Sequence, residues 1–383
     1  MRPGLFLNRP DPRSVGGRTL RSEDAADIFP HPISKHEQPV NELEMVSSED
    51  RLDLAVVGAG PCGLAVGVAA ARAGLKARLF DRGCVVNAIV GYPIDMTFFS
   101  TPEKLEVGDV PFVTAAAKPG RSEALTYYRR VARHFDLDVR QYQEVVGVEG
   151  HQGDFTLLAR RKGVAEAHCA RHVVVATGYF GTPKMLDVPG EELPKVSHYY
   201  REAHPFYDQD CLVIGGGNSA VEAALDLWRA GARVTLVHIF DDLDVGVKPW
   251  VRPDIENRIR EGSIAAHFRT RVLEISPERV LLRHEAAGGD RSVANDWVFA
   301  MTGFTPDNEF LRRLGIDVDE KTGVPTYDPT SMETNVPGIF VAGVLVSGYD
   351  TNRIFIENGR HHGDVIVKTL QSGGASGSVS TGA

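Results

Sequence analysis

The sequence predicts an α/β protein built from two nested Rossmann-like dinucleotide-binding domains. The apolar run at residues 52–58 ends in glycines and is followed by an Ala-rich, helix-favouring segment and a second short strand, which is the pattern of a βαβ unit. The same order returns at residues 211–239, where Gly215 follows Gly58 by 157 positions. A chain of 383 residues is long enough for two or three domains.

The repeats predict a nested domain organisation. Residues 51–178 form the first nucleotide-binding domain, residues 182–300 form a second domain inserted into it, and residues 304–370 complete the first. A Thr-Gly pair stands at each point where the chain crosses between the two domains. Residues 1–50 are expected to be a disordered extension, and residues 371–383, which are rich in Gly and Ser, are expected to be a flexible tail.

Composition and charge exclude several classes of partner. The formal net charge is −9 and no long Lys/Arg block is present, which argues against nucleic acid or an anionic membrane as partner. Residues 54–71 carry no charge, but their glycines and proline indicate a tight turn rather than a membrane span. Four cysteines are too few for a disulfide scaffold, and residues 1–50 contain no secretory signal. We therefore predict a cytoplasmic protein.

The first glycine fingerprint follows the first predicted strand directly. Gly58 allows a tight turn, Gly60 lets the backbone approach a pyrophosphate, and Gly63 lets helix and strand pack closely. The free N–H groups at the start of the following helix attract the phosphates. Asp81 ends the second strand, where a carboxylate can accept hydrogen bonds from ribose hydroxyls.

The second fingerprint, at residues 215–220, reads Gly-Gly-Gly-Asn-Ser-Ala and has Ala at the third conserved position. His238 stands where an acidic residue would bind the 2′-hydroxyl of NADH. Together with Lys248 and Arg252 it favours NADPH over NADH. The alternative is that His238 ends its strand in solvent and that the two basic residues are ordinary surface charges.

Two dinucleotide sites in one chain predict FAD in the first and NADPH in the second, with hydride passing from nicotinamide to flavin. The residues expected to contact FAD are Gly58, Gly60, Pro61, Cys62, Gly63, Asp81, Asn87, Thr177, Gly178, Gly343 and Val344. The residues expected to contact NADPH are Gly215, Gly217, Asn218, Ser219, Ala220, His238, Lys248 and Arg252.

The cysteines do not form a C-x-x-C motif. Cys62 lies in the first turn of the FAD-motif helix, where the helix dipole is expected to lower the thiol pKa and favour the thiolate. Alternatively, Cys62 is only a small residue that faces the cofactor. Cys84 lies near the same region, whereas Cys169 and Cys211 are expected to be ordinary buried residues. The histidine pair at 361–362 lacks a third ligand at suitable spacing, so no metal site is predicted.

Several segments resemble one family. The general plan is similar to the thioredoxin-reductase-like flavoproteins, and more narrowly the chain resembles the YpdA-type bacillithiol-disulfide reductases over about residues 52–368. The resemblance is carried by residues 57–63, 85–89, 97–112, 247–250 and 354–360. The 97–112 segment and the cysteine inside the glycine motif are more specific than either fingerprint.

The resemblance implies a tightly held FAD, NADPH as donor, a low-molecular-weight thiol disulfide as substrate, and a homo-oligomer, either a dimer or larger. It also implies that Cys62 is the working thiol. Val344 follows Gly343 where the wider superfamily has an Asp, and the YpdA-type group shares this change. Asp81 takes the place of a more common Glu and keeps the carboxylate.

The hypothesis is a disulfide reductase in which the Cys62 thiolate attacks the substrate disulfide and reduced flavin, or a second thiol, resolves the mixed disulfide. Three alternatives stay open at this stage. A flavin monooxygenase is one, because residues 176–183 have features of that class. A ferredoxin–NADP reductase also lacks C-x-x-C. A non-catalytic flavin sensor is the third, although a second dinucleotide site argues against it.

Overall fold

The computed structural model describes residues 43–45, 51–286 and 288–374, in which strands and helices alternate as an α/β fold requires. In chain order the strands are β1 (Leu43–Met45), β2 (Leu52–Val57), β3 (Ala77–Asp81), β4 (Asp138–Gln141), β5 (Glu144–His151), β6 (Asp154–Arg161), β7 (Val164–Val175), β8 (Val196–Ser197), β9 (Asp210–Ile214), β10 (Arg233–Val237), β11 (Ala265–His267), β12 (Thr270–Ile275), β13 (Arg279–His284), β14 (Asp290–Ala294), β15 (Trp297–Ala300) and β16 (Ile339–Val341). The helices are α1 (Pro61–Arg72), α2 (Asn87–Val90), α3 (Pro102–Leu105), α4 (Arg121–His134), α5 (Asn218–Arg229), α6 (Arg252–Arg260), α7 (Asn308–Arg313), α8 (Ile356–Gly359) and α9 (His362–Gly374).

The first sheet has eight strands and is organised by the long strand β7. The path runs β4-β3-β2-β7-β6-β5, and β1 and β16 also pair with β7. The first half of β7 pairs in parallel with β1 and antiparallel with β6. Its second half pairs in parallel with β2 and β16. In the sequence, β16 follows all strands of the second sheet. The first sheet is therefore built from segments that precede the second sheet in the chain and from one that follows it.

The second sheet has five strands in the order β11-β10-β9-β15-β8, and all of its pairings are parallel. Strand β9, helix α5 and strand β10 repeat the βαβ arrangement of β2, α1 and β3. The nested pattern of the two fingerprints therefore corresponds to two separate sheets.

A small antiparallel sheet of β12, β13 and β14 follows the second βαβ unit. Its inward residues Val272, Val280 and Leu282 join a hydrophobic cluster that also contains Leu212 of the second sheet. The sequence predicts no strand or helix in this region, because the three strands are short and rich in charged residues.

The uncharged run at residues 54–71 is a buried strand followed by a buried helix. Leu54, Ala55 and Val56 are fully buried in β2, and the glycine turn then leads into α1. Burial on both faces of a parallel strand explains the lack of charge. None of the helices in the described residues combines the length and the apolar character needed to cross a membrane.

The two ends of the chain lie largely beyond the described residues. Within the predicted disordered extension, residues 43–45 form strand β1 parallel to β7, so the extension as predicted is wrong at this point. Residues 371–374 belong to α9 rather than to the predicted flexible tail. The other residues of 1–50 and 375–383 lie outside the described part.

Candidate active site

The residues predicted to contact FAD come together at one edge of the first sheet, where four parallel strands end. β2 runs into residues 58–63, β3 ends at Asp81, β7 runs into residues 177–178, and β16 runs into residues 343–344. The carboxyl ends of parallel strands are where open α/β sheets bind their ligands. The fold therefore joins four parts of the predicted site that are far apart in the sequence.

The glycines of the first fingerprint have different structural roles. A Cβ atom at Gly58 would overlap the carbonyl group of Ala176, and one at Gly63 would overlap the carbonyl oxygen of Gly58. In contrast, a Cβ atom at Gly60 would meet no atom within 4 Å. Pro61 begins α1, a position where its missing N–H costs nothing. Close packing thus requires Gly58 and Gly63, whereas Gly60 leaves open space beside the helix N-terminus that suits a pyrophosphate.

Asp81 holds the loops around the predicted ribose position. Its two carboxylate oxygens accept the backbone N–H groups of Ala59 and Gly83, each at 2.8 Å. Burial raises the pKa of Asp81, and these two hydrogen bonds only partly offset the effect. Asn87 packs over Gly83, and its Oδ1 accepts the thiol of Cys84 at 3.6 Å. Each carboxylate oxygen retains a second lone pair, so Asp81 is able to accept a ribose hydroxyl as well.

Two glycine turns close the site on the side of β7 and β16. Thr177 is exposed, and a Cβ atom at Gly178 would lie 3.5 Å from Cγ2 of Val344. The N–H of Gly343 donates to Nδ1 of His362 at 3.0 Å, so this N–H is used within the protein. Sequence reasoning missed His362 as part of the site, because only the fold brings it beside a residue 19 positions away.

Cys62 lies in the first turn of α1, as predicted, but its side chain is buried. The residue is 8% exposed. A Cβ atom at Gly343 would lie 3.2 Å from Sγ of Cys62, and one at Gly359 would lie 2.9 Å from it. The sulfur therefore occupies space that Gly343, after β16, and Gly359, at the end of α8, leave open because they have no side chains.

The expectation of a low pKa for Cys62 is wrong. Burial raises the pKa of the thiol from its ordinary value to about 12, and the negative charge of Glu357 adds to the increase. Removing a thiolate from water disfavours the charged form. The protein surroundings of Cys62 therefore favour the neutral thiol over the thiolate.

Three tyrosines interact electrostatically with Cys62. Burial raises the pKa of Tyr92 and of Tyr128 above the ordinary phenol range, and it raises the pKa of Tyr179 as well. The hydroxyl of Tyr128 donates to the carbonyl of Leu105 at 3.0 Å. The tyrosines are thus neutral.

Glu357 is the functional candidate that sequence reasoning did not identify. It lies in the short helix α8, and its Oε1 accepts a hydrogen bond from the hydroxyl of Ser100. The two residues are 257 positions apart, yet both lie in segments that carry the family resemblance, 97–112 and 354–360. The presence of both residues in segments that carry the family resemblance was the only sequence feature that could have pointed to Glu357.

The second fingerprint lies at the carboxyl end of β9, beside the ends of β10 and β15. A Cβ atom at Gly215 would clash with the carbonyl group of Met301, as the corresponding glycine of the first fingerprint clashes with a carbonyl. At Gly216 the obstacle is instead the ring of His238, which is 6% exposed and not solvated. Asn218 fixes the next loop, because its amide donates to Gly246 O at 2.9 Å. Ser219 is exposed and Ala220 is buried, in the first turn of α5.

The three basic side chains predicted to contact NADPH all lie near carboxylates. Nε2 of His238 lies 3.4 Å from a carboxylate oxygen of Asp244, and Nζ of Lys248 lies 2.5 Å from one of Glu222. Arg252 pairs with two carboxylates, at 2.6 Å and 2.7 Å. Lys248 and Arg252 are thus brought to the end of the second sheet in ion pairs, whereas the buried Nε2 of His238 has no hydrogen-bond partner among the described residues.

An exposed aromatic contact joins the two halves of the molecule. The rings of Phe99 and Trp250 stack with centroids 5.5 Å apart. Nζ of Lys118 lies 5.1 Å from the first ring centroid and 4.7 Å from the second. Both rings lie in segments quoted for the resemblance, 97–112 and 247–250.

The remaining cysteines are not arranged as a dithiol. All four cysteines are free. Burial raises the pKa of half-buried Cys84, and it raises the pKa of buried Cys211 to about 12. Cys169 lies in β7. Among the described residues, no group of three His, Cys, Asp or Glu side chains is placed to hold a metal ion.

Comparisons with known proteins agree with this geometry. The family described as pyridine nucleotide-disulphide oxidoreductase matches residues 55–343. Bacilliredoxin reductase Bdr of Bacillus subtilis is 42% identical over 318 residues, which are 82% of this chain and 96% of that protein.

Two solved structures extend the likeness to three dimensions. Bacillithiol disulfide reductase Bdr (YpdA) from Bacillus cereus aligns with a TM-score of 0.82 and 43% identity, covering 84% of this chain and 99% of that one. The Staphylococcus aureus enzyme aligns with a TM-score of 0.80 and 38% identity, covering 85% and 99%.

These findings confirm the predicted thioredoxin-reductase-like fold, the flavoprotein oxidoreductase class, and FAD and NADPH as the cofactors that this family uses. The chain belongs to the pyridine nucleotide-disulphide oxidoreductase family, in the same group as the Bdr (YpdA) reductases.

Proposed function

We propose that this protein is an NADPH-driven, FAD-dependent reductase of a low-molecular-weight thiol disulfide of the bacillithiol type, with Cys62 as the reacting thiol. The observation that carries the proposal is a cysteine without a C-x-x-C partner inside the FAD fingerprint, in a chain 42% identical to a bacilliredoxin reductase.

The residues at the end of the first sheet suit FAD. The open space at Gly60 accommodates a pyrophosphate beside the N-terminus of α1, and Asp81 is held where it can accept a ribose hydroxyl. When bound, FAD carries the two electrons of NADPH to the disulfide. We assign the FAD contacts to the residues predicted above, with Gly343 contributing through its lack of a side chain rather than its N–H.

The end of the second sheet is assigned to NADPH. Gly215, Gly217 and the start of α5 would bind the pyrophosphate, as the first fingerprint does for FAD. His238, Lys248 and Arg252 would bind the 2′-phosphate after exchanging their carboxylate partners for it.

Cys62 carries out the thiol chemistry. A thiolate at this position attacks one sulfur of the substrate, forms a mixed disulfide and releases the first thiol. Because Cys62 is 8% exposed, the substrate disulfide must gain access to the sulfur before the attack. The exchange also requires the thiolate, so the thiol proton must leave first.

The proposal includes the wider setting of the protein. We assign residues 51–178 and 304–370 to the FAD domain and residues 182–300 to the NADPH domain, which follows the separation of the first and second sheets. We also propose a cytoplasmic enzyme that works as a dimer or larger homo-oligomer, since a thiol reductase of this kind needs a reducing compartment.

The test is steady-state NADPH oxidation with bacillithiol disulfide, oxidised glutathione and cystine. We expect rapid turnover with at least one of them, and a loss of at least about 100-fold in Cys62→Ser, whereas the matched variant Cys84→Ser stays active. Disulfide turnover that survives in Cys62→Ser would remove the thiol from the mechanism. Oxygen consumption that yields a hydroxylated product would indicate a flavin monooxygenase instead.

A further inference from the structure

The half of the molecule built on the first sheet and the half built on the second are connected by two chain segments that run side by side. The N–H of Lys184 in one segment donates to the carbonyl of Gly303 in the other at 3.0 Å. Beside them the N–H of Ile94 donates to the carbonyl of Arg201 at 2.9 Å. Four aromatic rings pack at the same place, those of Tyr92, Phe180, Tyr199 and Phe304. A single hinge of this kind leaves two halves free to rotate about it.

A second attachment joins the halves through Phe99 of the first half and Trp250 of the second. Their rings stack with centroids 5.5 Å apart and planes inclined by 29°. Nζ of Lys118 lies 5.1 Å from one centroid and 4.7 Å from the other, close enough for a cation to be attracted to both rings. Both rings remain more than half exposed, so the stack is not part of a hydrophobic core. We call these three residues the clasp.

On the side of the second sheet, Trp250 lies in the loop that carries two of the basic residues assigned to NADPH. Trp250 is two positions from Lys248 and two from Arg252. The N–H of Lys248 donates to Oδ1 of Asn218, the first residue of α5, at 2.9 Å. The guanidinium of Arg252 donates to the carbonyl of Asp244 at 3.2 Å. The ring of Trp250 therefore belongs to a loop that is tied directly to the second fingerprint.

On the side of the first sheet, Phe99 is held by the residues before it. The N–H of Phe98 donates to the carbonyl of Pro119 at 2.9 Å. Pro119 directly follows Lys118, so the same hydrogen bond places two members of the clasp side by side. Because the side chain of Phe98 is buried, this part of the clasp is fixed to its half of the molecule.

The segment that carries Phe99 also borders the surroundings of Cys62. The hydroxyl of Ser100 donates to the carboxylate of Glu357 in α8. In the same helix, Gly359 packs against the thiol, because a Cβ atom there would lie 2.9 Å from Sγ of Cys62. A continuous set of contacts therefore leads from the clasp to the first turn of α1, inside the FAD fingerprint.

The clasp thus connects the two ends of the molecule that are assigned to cofactors. The loop of Trp250 lies beyond the carboxyl end of β10, and Cys62 lies beyond the carboxyl end of β2. Hydride transfer requires the reacting atoms of donor and acceptor to approach to about 3–3.5 Å. Two sites in different halves meet this requirement only when the halves keep one orientation, which a hinge alone does not ensure.

We propose that Phe99, Trp250 and Lys118 are positioning residues for hydride transfer, because the clasp holds the NADPH-binding loop against the FAD-binding half. This inference rests on the proposed function, which assigns NADPH to the second sheet. In the step concerned, NADPH gives a hydride to FAD and leaves as NADP⁺, and one proton from solvent completes FADH₂. The clasp takes no part in these bond changes and acts only by fixing the orientation of the two halves.

A purely structural role of the rings has a different signature. Rings that only stabilise the fold would affect the melting temperature, but flavin reduction in the folded protein would keep its rate. Rings that orient the halves change the rate of flavin reduction and leave the affinity for NADP⁺ unchanged, since Lys248 and Arg252 stay in place. Separate measurement of the rate and the affinity distinguishes these two roles.

The experiment follows the reduction of bound FAD by NADPH in a single turnover without oxygen and without any disulfide. Varying the NADPH concentration gives the limiting rate kred, and calorimetry gives the Kd for NADP⁺. Small-angle X-ray scattering of the oxidised, FAD-loaded protein measures the radius of gyration. The matched control is Tyr207→Ala, at a ring that is 69% exposed and lies beside Gly231, before the start of β10. The variants are Phe99→Ala, Trp250→Ala, their combination, Trp250→Phe and Lys118→Met.

We expect Phe99→Ala and Trp250→Ala each to lower kred about tenfold, the size expected when one aromatic pair is lost. The combination should be no slower than either single variant, because each change alone opens the clasp. Trp250→Phe keeps a stacked pair and should stay within about threefold of the wild type. Lys118→Met should lower kred about threefold.

The other two measurements report on orientation and on nucleotide binding. The radius of gyration should rise in both alanine variants of the clasp, and the Kd for NADP⁺ should stay within about twofold of the wild-type value. Tyr207→Ala should match the wild type in all three quantities.

An unchanged or faster kred in Trp250→Ala would overturn the inference. A slower kred with an unchanged radius of gyration would also overturn it, because the orientation of the halves would then be intact. Failure of the proposed function gives a different result, since NADPH would then not reduce the FAD of the wild-type protein. Disulfide turnover does not enter either measurement.

Discussion

The two glycine fingerprints have similar sequences, but different atoms determine their shapes. In the first, main-chain carbonyl groups occupy the space that side chains at Gly58 and Gly63 would need. In the second, a carbonyl does so only at Gly215, whereas the ring of His238 lies against Gly216 and a carboxylate oxygen of Asp244 lies 3.1 Å from a Cβ at Gly217. A main chain that directly continues a strand has little room to shift, but side chains can rotate. The first loop is therefore rigid and the second is adaptable.

The charged residues of the two sites also differ in what holds them, main chain in the first site and side chains in the second. Asp81 of the first site is held by two backbone N–H groups. Lys248 and Arg252 of the second site are held by side-chain carboxylates. This difference suits a cofactor that stays bound in the first site and one that exchanges in every turnover in the second.

The largest expected effect concerns Gly63. We predict that Gly63→Ala costs more than about 3 kcal/mol of folding free energy and abolishes FAD retention, because the added methyl overlaps a main-chain oxygen. Urea unfolding and the flavin absorbance of the purified protein measure both effects. The control Gly60→Ala should fold normally, since the space there is open. A stable, FAD-loaded Gly63→Ala protein would refute the rigid-loop comparison.

The corresponding change in the second loop should be milder and reversible. We expect Gly216→Ala to cost about 1–3 kcal/mol, because the new methyl meets the ring of His238 rather than the backbone. Combining it with His238→Ala removes the obstacle and should restore most of the melting temperature relative to His238→Ala alone. If the double variant loses as much stability as the two single variants added together, the ring of His238 is not the obstacle and the loops do not differ in this way.

The ion pairs of the second site lead to a prediction for the preference for NADPH over NADH. We expect Lys248→Ala to raise the KM for NADPH about tenfold and to leave the KM for NADH unchanged, which corresponds to about 1.4 kcal/mol. Glu222→Gln frees the lysine from its partner and should lower the KM for NADPH several-fold. Equal changes for both nucleotides would show that Lys248 does not contact the 2′-phosphate.

The smallest effect is expected at the contact between the two halves. A double-mutant cycle of Phe99→Ala and Trp250→Ala should give a coupling free energy of about 0.5–1.5 kcal/mol, as for other aromatic pairs. Thermal or urea unfolding provides the values, and Val245→Ala, at a residue 99% exposed, serves as control. Zero coupling would mean that the stacked rings do not hold the halves together.

Much of the cofactor framework was predictable because its rules are local. Gly58 and Gly63 are required within a few residues of the strand that precedes them, and Asp81 ends the next strand. The positions of strand ends and helix starts place such residues without any knowledge of distant contacts. The small antiparallel sheet and strand β1 were missed, because they depend on packing against other segments.

The ionisation of Cys62 shows the limit of this reasoning. The helix N-terminus, which favours a thiolate, is visible in the sequence, but the burial that raises the thiol pKa is not. Burial comes from Gly343 and Gly359, and the added charge comes from Glu357, all nearly 300 positions away. His238 shows the same limit. The sequence predicted its position at the end of a strand, but it did not predict the contact of its ring with Gly216.

The order of residues alone determined the fold class, the two nested nucleotide sites and the cysteine within the first of them, because short-range steric rules connect glycines, strands and helix starts. Only the tertiary structure decided that this cysteine is buried in surroundings that raise its thiol pKa, and that Lys248 and Arg252 of the second site are in ion pairs. The physical reason is that proton affinity and pairing depend on the solvent and charge around a group, which segments distant in the chain supply when they pack together.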